Sequence, residues 1–326
     1  RRVLMRVLGV TLGDERGIGP EVVFKALSAS RHKDEGAVVL IGTPGAIEQQ
    51  ARRNGCNETI RQWSGRRGAE RGLWKVETTT GDSSAARTAL NALSQGSELA
   101  LSGDIDGLVT GPVNKASILE EGIPFVGQTE WLTHRAGDPS TGMMLLGTDQ
   151  DGRWLRVLLA TTHIPLSAVP GALTQRGIMG SILLAARACR ELGLATERVA
   201  VCGLNPHAGE QGHLGQEEAV VINPAIEQAR KMGFTVSGPW PGDTVFRDAI
   251  RGGHDVVVAM YHDQGLAPLK LVAFETGVNW TVGLPYPRTS PDHGTAFDIA
   301  GRGIADPTSM GLAIDLAFRL IGSRDR

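Results

Sequence analysis

Short runs of consecutive apolar residues punctuate the chain: VLGVTLG, AVVLIG, GLVTG, MMLLG, LRVLLATT, RVAVCGL, DVVVAMY and VNWTVGL. Between them, helical periodicity predicts helices near 20–29, 84–101, 113–121, 128–136, 173–192, 217–232, 243–250 and 308–321. Strands alternating with helices predict an α/β fold with a largely parallel sheet. The unbroken apolar character of VVVAM fits a strand covered on both faces. The 43 glycines cluster after strands, and no fixed-period repeat or low-complexity linker is visible. The charged stretch near 52–82 is the least regular part and reads as surface loops and short strands.

Composition narrows the function classes. With 326 residues the chain suggests two domains. Lys+Arg 33 against Asp+Glu 35 leaves no polybasic surface for nucleic acid or an anionic membrane, so a small molecule is the expected partner. No run of 18 apolar residues is present, and RRVLMRVLGVTLGDERG has too short an apolar stretch for a signal peptide, which makes the cytosol the expected compartment. The three cysteines lack CxxC spacing; Cys189 and Cys202 fall in apolar segments and read as buried, reduced thiols.

Histidines recur in one topological position. RVLLATTH ends in His163, RVAVCGLNPH in His207 and VVVAMYH in His262. The crevice of an open α/β sheet forms at the carboxyl ends of its strands, so three imidazoles delivered there could converge. Three histidine ligands leave a divalent metal open positions for water or substrate. The alternative is three hydrogen-bonded structural histidines. Asp263 reads either as an acceptor orienting His262 or as the N-cap of a following helix, and sequence alone favours the cap. His32, His134, His213 and His254 sit in polar surroundings and read as surface residues.

Two strand-turn-helix junctions carry further polar candidates. LGDERGIGPEVVFKAL lacks the G-x-G-x-x-G fingerprint and reads as a tight turn entering a helix, with Asp14 able to face a cleft. GLVTGPVNKASI places Lys115 beyond a strand, either facing an anion or on a helix surface. Lys270, Asn279 and Arg288 follow His262 and supply a point charge, an amide and a guanidinium fork suited to a phosphate monoester.

Taken together, GDERGIGPEV, LVTGPVNK, GQTEWL, TTHIPL, VCGLNPHAGEQGHLGQEE, GDTVF, AMYHDQGLAPLK and GVNWTVGLPYPRTSPDHGTAFDIAGRG resemble, in order through nearly the whole chain, the 4-hydroxythreonine-4-phosphate dehydrogenases of vitamin B6 synthesis. The resemblance implies a two-lobed fold like that of isocitrate and isopropylmalate dehydrogenases, with largely parallel sheets and a cleft between lobes. It places the first lobe at about 1–125 plus 290–326 on the NAD side, and the second at about 126–289 with the metal histidines and dimer contacts. It implies a cytoplasmic homodimer whose active site is shared between subunits, NAD or NADP as cofactor, and one divalent metal (zinc, magnesium or cobalt). His163, His207 and His262 match the metal ligands. Gln128, Thr129, Lys270, Asn279 and Arg288 match substrate-binding positions. His293, Gly294, Thr295, Ala296 and Asp298 fall in a segment resembling the loop with which isopropylmalate dehydrogenases hold NAD. The implied reaction oxidises a phosphorylated 3-hydroxy acid at C3 and then decarboxylates the 3-keto acid, with the metal stabilising negative charge on oxygen. A metal-bound hydroxide, Asp263 and Lys115 are the candidates for general base.

One position departs from the family. Where these enzymes read Gly-His-Thr-Glu, this chain has Gly127, Gln128, Thr129 and Glu130. Gln donates through its amide but cannot become cationic as imidazole can. His134 lies well over a helical turn away and cannot take over. The change leaves open a related substrate, a phosphorylated sugar acid such as D-threonate or D-erythronate 4-phosphate. A binding or regulatory protein that keeps the fold without turnover is the reading from another class, and the intact histidine trio argues against it.

Overall fold

The computed structural model describes residues 5–29, 35–78 and 83–324; His32 and the end of the irregular 52–82 stretch lie outside them. Its strands are β1 (Arg6–Thr11), β2 (Gly36–Gly42), β3 (Arg61–Gln62), β4 (Gly72–Glu77), β5 (Gly107–Thr110), β6 (Gly142–Thr148), β7 (Trp154–Leu159), β8 (Val199–Cys202), β9 (Val236–Trp240), β10 (Val256–Ala259), β11 (Val278–Val282) and β12 (Arg288–Pro291). Two compact units result, one of Arg1–Pro139 with Leu284–Arg326 and one of Ser140–Gly283, against sequence-placed boundaries near 125 and 290. Among the described residues no helix is long and apolar enough to cross a membrane.

The first unit orders its strands β3-β4-β2-β1-β5-β12. All its paired strands run parallel. Parallel neighbours need crossovers, and long helices supply them. Helix Ala85–Ser102 is capped by Ser84, whose side chain accepts from the Arg87 amide, and stops at left-handed Gly103. It presses so closely on the sheet that a Cβ at Gly96 would lie 2.8 Å from Leu108. Val7, Leu8, Val10, Leu40 and Val109 are wholly buried, which is why β1, β2 and β5 read as continuous apolar runs.

In the second unit the order is β11-β6-β7-β10-β8-β9. β6 runs antiparallel to β7 and β11, whereas β7, β10, β8 and β9 are parallel. The carboxyl ends of β7, β10 and β8 therefore lie side by side on one edge. At the opposite ends Asp255 accepts hydrogen bonds from the Arg198 amide and guanidinium and from the Thr196 hydroxyl. Burial alone would raise the Asp255 carboxyl, but these hydrogen bonds hold it below the usual carboxylate range.

Every strand named from an apolar run forms. β9 and β12 are not legible from the sequence, since VSGPW carries a Gly-Pro pair and RTSP has only its final proline as an apolar residue although all four positions are buried. Helix Pro44–Arg53 was also missed, because it buries only Ile47 and Gln50 and so shows no apolar stripe. The cysteines are all free, with Cys56 half-buried and Cys189 and Cys202 buried. Burial pushes Cys202 up to about 12, and burial together with the charge of Asp255 does the same to Cys189. A disulfide-exchange reagent is expected to titrate one thiol in the native protein and three after denaturation; a second native thiol would show that one of these strands or helices opens.

Candidate active site

The second unit places a histidine beyond each of three adjacent parallel strands. His163 follows β7, His262 follows β10 and His207 follows β8. The first two meet, their ring centroids 5.5 Å apart and tilted by 44°. His262 opens helix His262–Ala273, whose N-cap is Tyr261. Asp263 is therefore not the cap that sequence favoured. Its Oδ1 lies 2.7 Å from His262 Nδ1, which fixes the ring and leaves Nε2 available.

The helix itself is seated by two side-chain bonds and one close approach. Gln264 accepts from the Met260 amide at 2.7 Å and donates to the Gly203 carbonyl at 2.7 Å, tying the end of β10 to the end of β8. A Cβ at Gly265 would lie 2.7 Å from Val157, so only glycine lets the helix settle on β7.

His207 stands apart, its side chain 69% exposed and its Nδ1 3.0 Å from Glu210 Oε1. It lines a pocket of about 430 Å³ with Asn205, Asp243, Tyr261 and Gln264. In the sequence Asp243 stands out only as part of the GDTVF motif, and folding puts it on the same wall as His207. A larger cavity of about 1010 Å³ beside helix Gln175–Glu191 holds none of the predicted residues. Among the described residues no three His, Cys, Asp or Glu side chains are gathered into a group that could hold an ion as they stand. The chemistry of the His163–His262 pair nonetheless fits a divalent ion: two neighbouring imidazoles, one oriented by a carboxylate.

The same unit holds Lys270, half-buried in the last turn of its helix, and Asn279 on β11. The Asn279 Oδ1 is buried with no hydrogen-bond partner. Such an acceptor suits a ligand donor.

Gln128, Thr129 and Arg288 come together in the first unit. Arg288, on β12, is 2% exposed. One terminal nitrogen donates to Thr110 Oγ1 at 2.6 Å and Gln128 Oε1 at 3.1 Å, and the other reaches Thr129 Oγ1 at 3.4 Å. Burial lowers the guanidinium to about 10, with Tyr286 and Glu130 opposing the shift. Gln128 Nε2 in turn donates to the Gly111 carbonyl at 3.1 Å. A guanidinium has only donors and a carbonyl only acceptors, so the amide can point only one way. Gln128 thus fits the acceptor-donor pattern that a neutral imidazole would present. Lys115 is exposed at the start of helix Lys115–Glu120, which Asn114 caps through the Ser117 amide.

The segment His293–Asp298 is fastened to the first strand-turn-helix junction. The Ile18 amide donates to the Thr295 carbonyl at 2.9 Å. A Cβ at Gly17 would lie 2.6 Å from that carbonyl oxygen, which explains the glycine better than a tight turn does. Farther along, Lys25 donates to the Gly303 and Ala305 carbonyls while Glu21 accepts from Lys25 and from the Ala305 amide. The i,i+4 Glu–Lys spacing was the only sequence signal of this anchor. Ala296 is held at φ 40°, a left-handed conformation unusual for alanine. Asp14 is buried and clamped by Arg16, and His254 is half-buried against Trp240 rather than lying free on the surface.

Comparison with known proteins gives this geometry a context. The family "Pyridoxal phosphate biosynthetic protein PdxA" matches residues 34–317. The chain belongs to the PdxA family. A relative from Beijerinckia indica, named 4-hydroxythreonine-4-phosphate dehydrogenase, is 42% identical over 96% of this chain and 94% of its own. The crystal structure of 4-hydroxythreonine-4-phosphate dehydrogenase from Klebsiella pneumoniae superposes with a TM-score of 0.83 at 35% identity, covering 97% of this chain and 99% of that one. Isocitrate dehydrogenase from Methylococcus capsulatus shares the fold alone, with a TM-score of 0.54 at 14% identity over 98% of this chain and 87% of its own.

Proposed function

We propose that this PdxA-family oxidoreductase is a nicotinamide- and divalent-metal-dependent dehydrogenase. It converts 4-phosphohydroxy-L-threonine to 3-amino-2-oxopropyl phosphate in pyridoxal phosphate synthesis, acting as a cytoplasmic homodimer. The observation that carries the reading is the pairing of His163 with His262 at the ends of adjacent parallel strands, with Asp263 orienting His262.

His163, His207 and His262 would hold the metal, which when bound supplies Lewis acidity for the charge that develops on the substrate oxygen. Oxidation at C3 releases the hydroxyl hydrogen as a proton, and a bound nicotinamide would supply the acceptor for the C3 hydrogen as hydride. The resulting 3-keto acid then loses its carboxylate as carbon dioxide, and C2 is reprotonated. Asp263 is committed to His262, which leaves Lys115, exposed at its helix start, as the side chain for the hydroxyl proton. Arg288, Thr129, Gln128, Lys270 and Asn279 are assigned to the anionic substrate. The anchored loop bearing His293, Gly294, Thr295, Ala296 and Asp298 is assigned to the nicotinamide cofactor, held by backbone and short side chains without a dinucleotide glycine loop.

Purified protein given 4-phosphohydroxy-L-threonine, NAD or NADP, and zinc, magnesium or cobalt is expected to form the reduced cofactor. Silence with every metal and both cofactors would sink the reading. Gln128 motivates one second reading, a phosphorylated sugar acid whose 2-hydroxyl replaces the amino group. Side-by-side kcat/KM values for the amino acid and for D-erythronate and D-threonate 4-phosphates decide between them, and a strong preference for the amino acid ends the alternative.

A further inference from the structure

The chain reaches His207 through an uncommon piece of backbone. Five consecutive residues, His207 to Gln211, have φ of 51°, 54°, 81°, 42° and 59°. Only the third is glycine. Left-handed conformation is ordinary for single residues and disfavoured in runs, because each Cβ crowds the following carbonyl. A run of this kind persists only where the surroundings over-determine it.

Those surroundings centre on one buried carboxylate. Glu218 is 4% exposed. Its Oε1 accepts from the Leu204 and Asn205 amides, each at 2.7 Å, and its Oε2 accepts from Asn205 Nδ2 at 2.9 Å. The Asn205 amide also donates to Glu217 at 2.8 Å. The left-handed turn closes over the same carboxylate: a Cβ at Gly209 would lie 2.6 Å from Glu218 Oε2. Gly209 is therefore demanded twice, by φ and by the oxygen beneath it. On the near side, a Cβ at Gly203 would lie 2.8 Å from Ala208 Cα and 3.1 Å from Glu218 Oε1, so β8, the turn and the carboxylate are packed to contact.

Glu218 is placed by a single π-helical turn, Glu218–Ile222, that runs directly into helix Asn223–Lys231. The wider turn aims its first residue back at the end of β8, a use for which such turns recur at functional sites. A core contact alone would not call for a carboxylate here, since an apolar side chain of the same size avoids the desolvation of a charge. What the carboxylate adds is direction: it pins the two amides just before His207 and fills the concave side of the turn that begins with it.

We propose that Glu218, assisted by Asn205, is a positioning residue that sets the left-handed turn and thereby the direction in which His207 is presented. The inference rests on the assignment of His207 as a metal ligand. Glu218 touches neither substrate nor ion and acts through the backbone of residues 204–209.

The test is a titration of metal-free protein with Co²⁺, read by its visible absorption, combined with a double-mutant cycle. Glu218→Gln keeps one oxygen but turns an NH2 toward Asn205 Nδ2, donor against donor. It is expected to weaken Co²⁺ binding by about 10–100-fold, the range for groups that orient ligands. In a His207→Ala background the same substitution is expected to change the remaining affinity by less than about threefold, because the interaction it removes acts through that imidazole. Should Glu218→Gln fail to fold, Asn205→Ala removes one of the carboxylate's bonds and is expected to show the same His207-dependent loss at smaller size. Equal losses with and without His207 overturn the proposal by making Glu218 a general structural residue. Co²⁺ binding that His163→Ala abolishes but the Glu218 and Asn205 variants leave unchanged overturns it alone. Wild-type protein that takes up no Co²⁺ removes the metal assignment and this proposal with it.

Discussion

His207→Ala will leave the protein folded and lower its metal-dependent kcat/KM by about 10³-fold, the several kcal/mol expected when Lewis-acid stabilisation of developing charge is lost. The fold survives because the side chain is 69% exposed and its ion-pair contact is with a neighbouring carboxylate, Glu210. The backbone effect is small and adverse, since histidine is enriched in left-handed positions and alanine is not. A cost near 1 kcal/mol there would lower the melting temperature by only about 1–2 °C in a chain of this length. Turnover at saturating metal and a circular-dichroism melt check the two halves of the expectation. Turnover equal to wild type removes His207 from the metal trio. A melt collapsed by tens of degrees would instead mean that the imidazole holds the turn together.

That the histidines could be nominated from sequence at all has a physical basis. A strand covered on both faces must be apolar throughout, so its end is marked wherever the first polar residues appear, and parallel topology brings such ends to one edge. The adjacency of β7, β10 and β8 could not be read this way, because strand order is set by crossovers and not by local pattern. The helix expected after Asp263 already begins at His262, and its extent is not legible locally. Gly265 and Pro268 punctuate it like a loop, whereas Gly265 is there for contact with Val157 and Leu159. Because the helix starts at His262 with Tyr261 as its cap, Asp263 falls inside the first turn, and its bond to His262 is visible only in three dimensions. The left-handed turn after β8 likewise has no local signature, being enforced by Glu218 from outside the turn. Gln128 is the extreme case. Its meaning depends on Arg288, 160 residues away, and on a strand, β12, whose polar sequence disguises complete burial.

That buried guanidinium is where stability and binding should come apart. Arg288→Ala is expected to destabilise the protein by about 3–5 kcal/mol, the range for breaking a buried charged network and leaving a cavity. Thr110, Thr129 and Gln128 would lose a donor together, and Gln128 would keep only its bond to Gly111. Arg288→Met refills much of the volume and removes the charge. Burial has already lowered the guanidinium to about 10 from 12.5, so its charge is a cost to the native state at neutral pH. The sign follows from proton uptake: between those two values the unfolded chain holds more protons than the folded one, so the penalty is full below about 10 and is relieved as pH rises through that window. The methionine variant is therefore expected to recover most of the stability lost in the alanine variant, as apolar replacements of buried charges do. It is not expected to recover substrate. With the cation gone, Gln128 and Thr129 offer only neutral groups, and KM for a phosphorylated substrate should rise at least about 30-fold, in keeping with about 2 kcal/mol or more for losing a charged partner. Urea midpoints for the two variants and their KM values measure both effects on the same proteins. A methionine variant that is stable and saturates like wild type would make Arg288 a packing residue and return the anionic end of the substrate to Lys270 and Asn279.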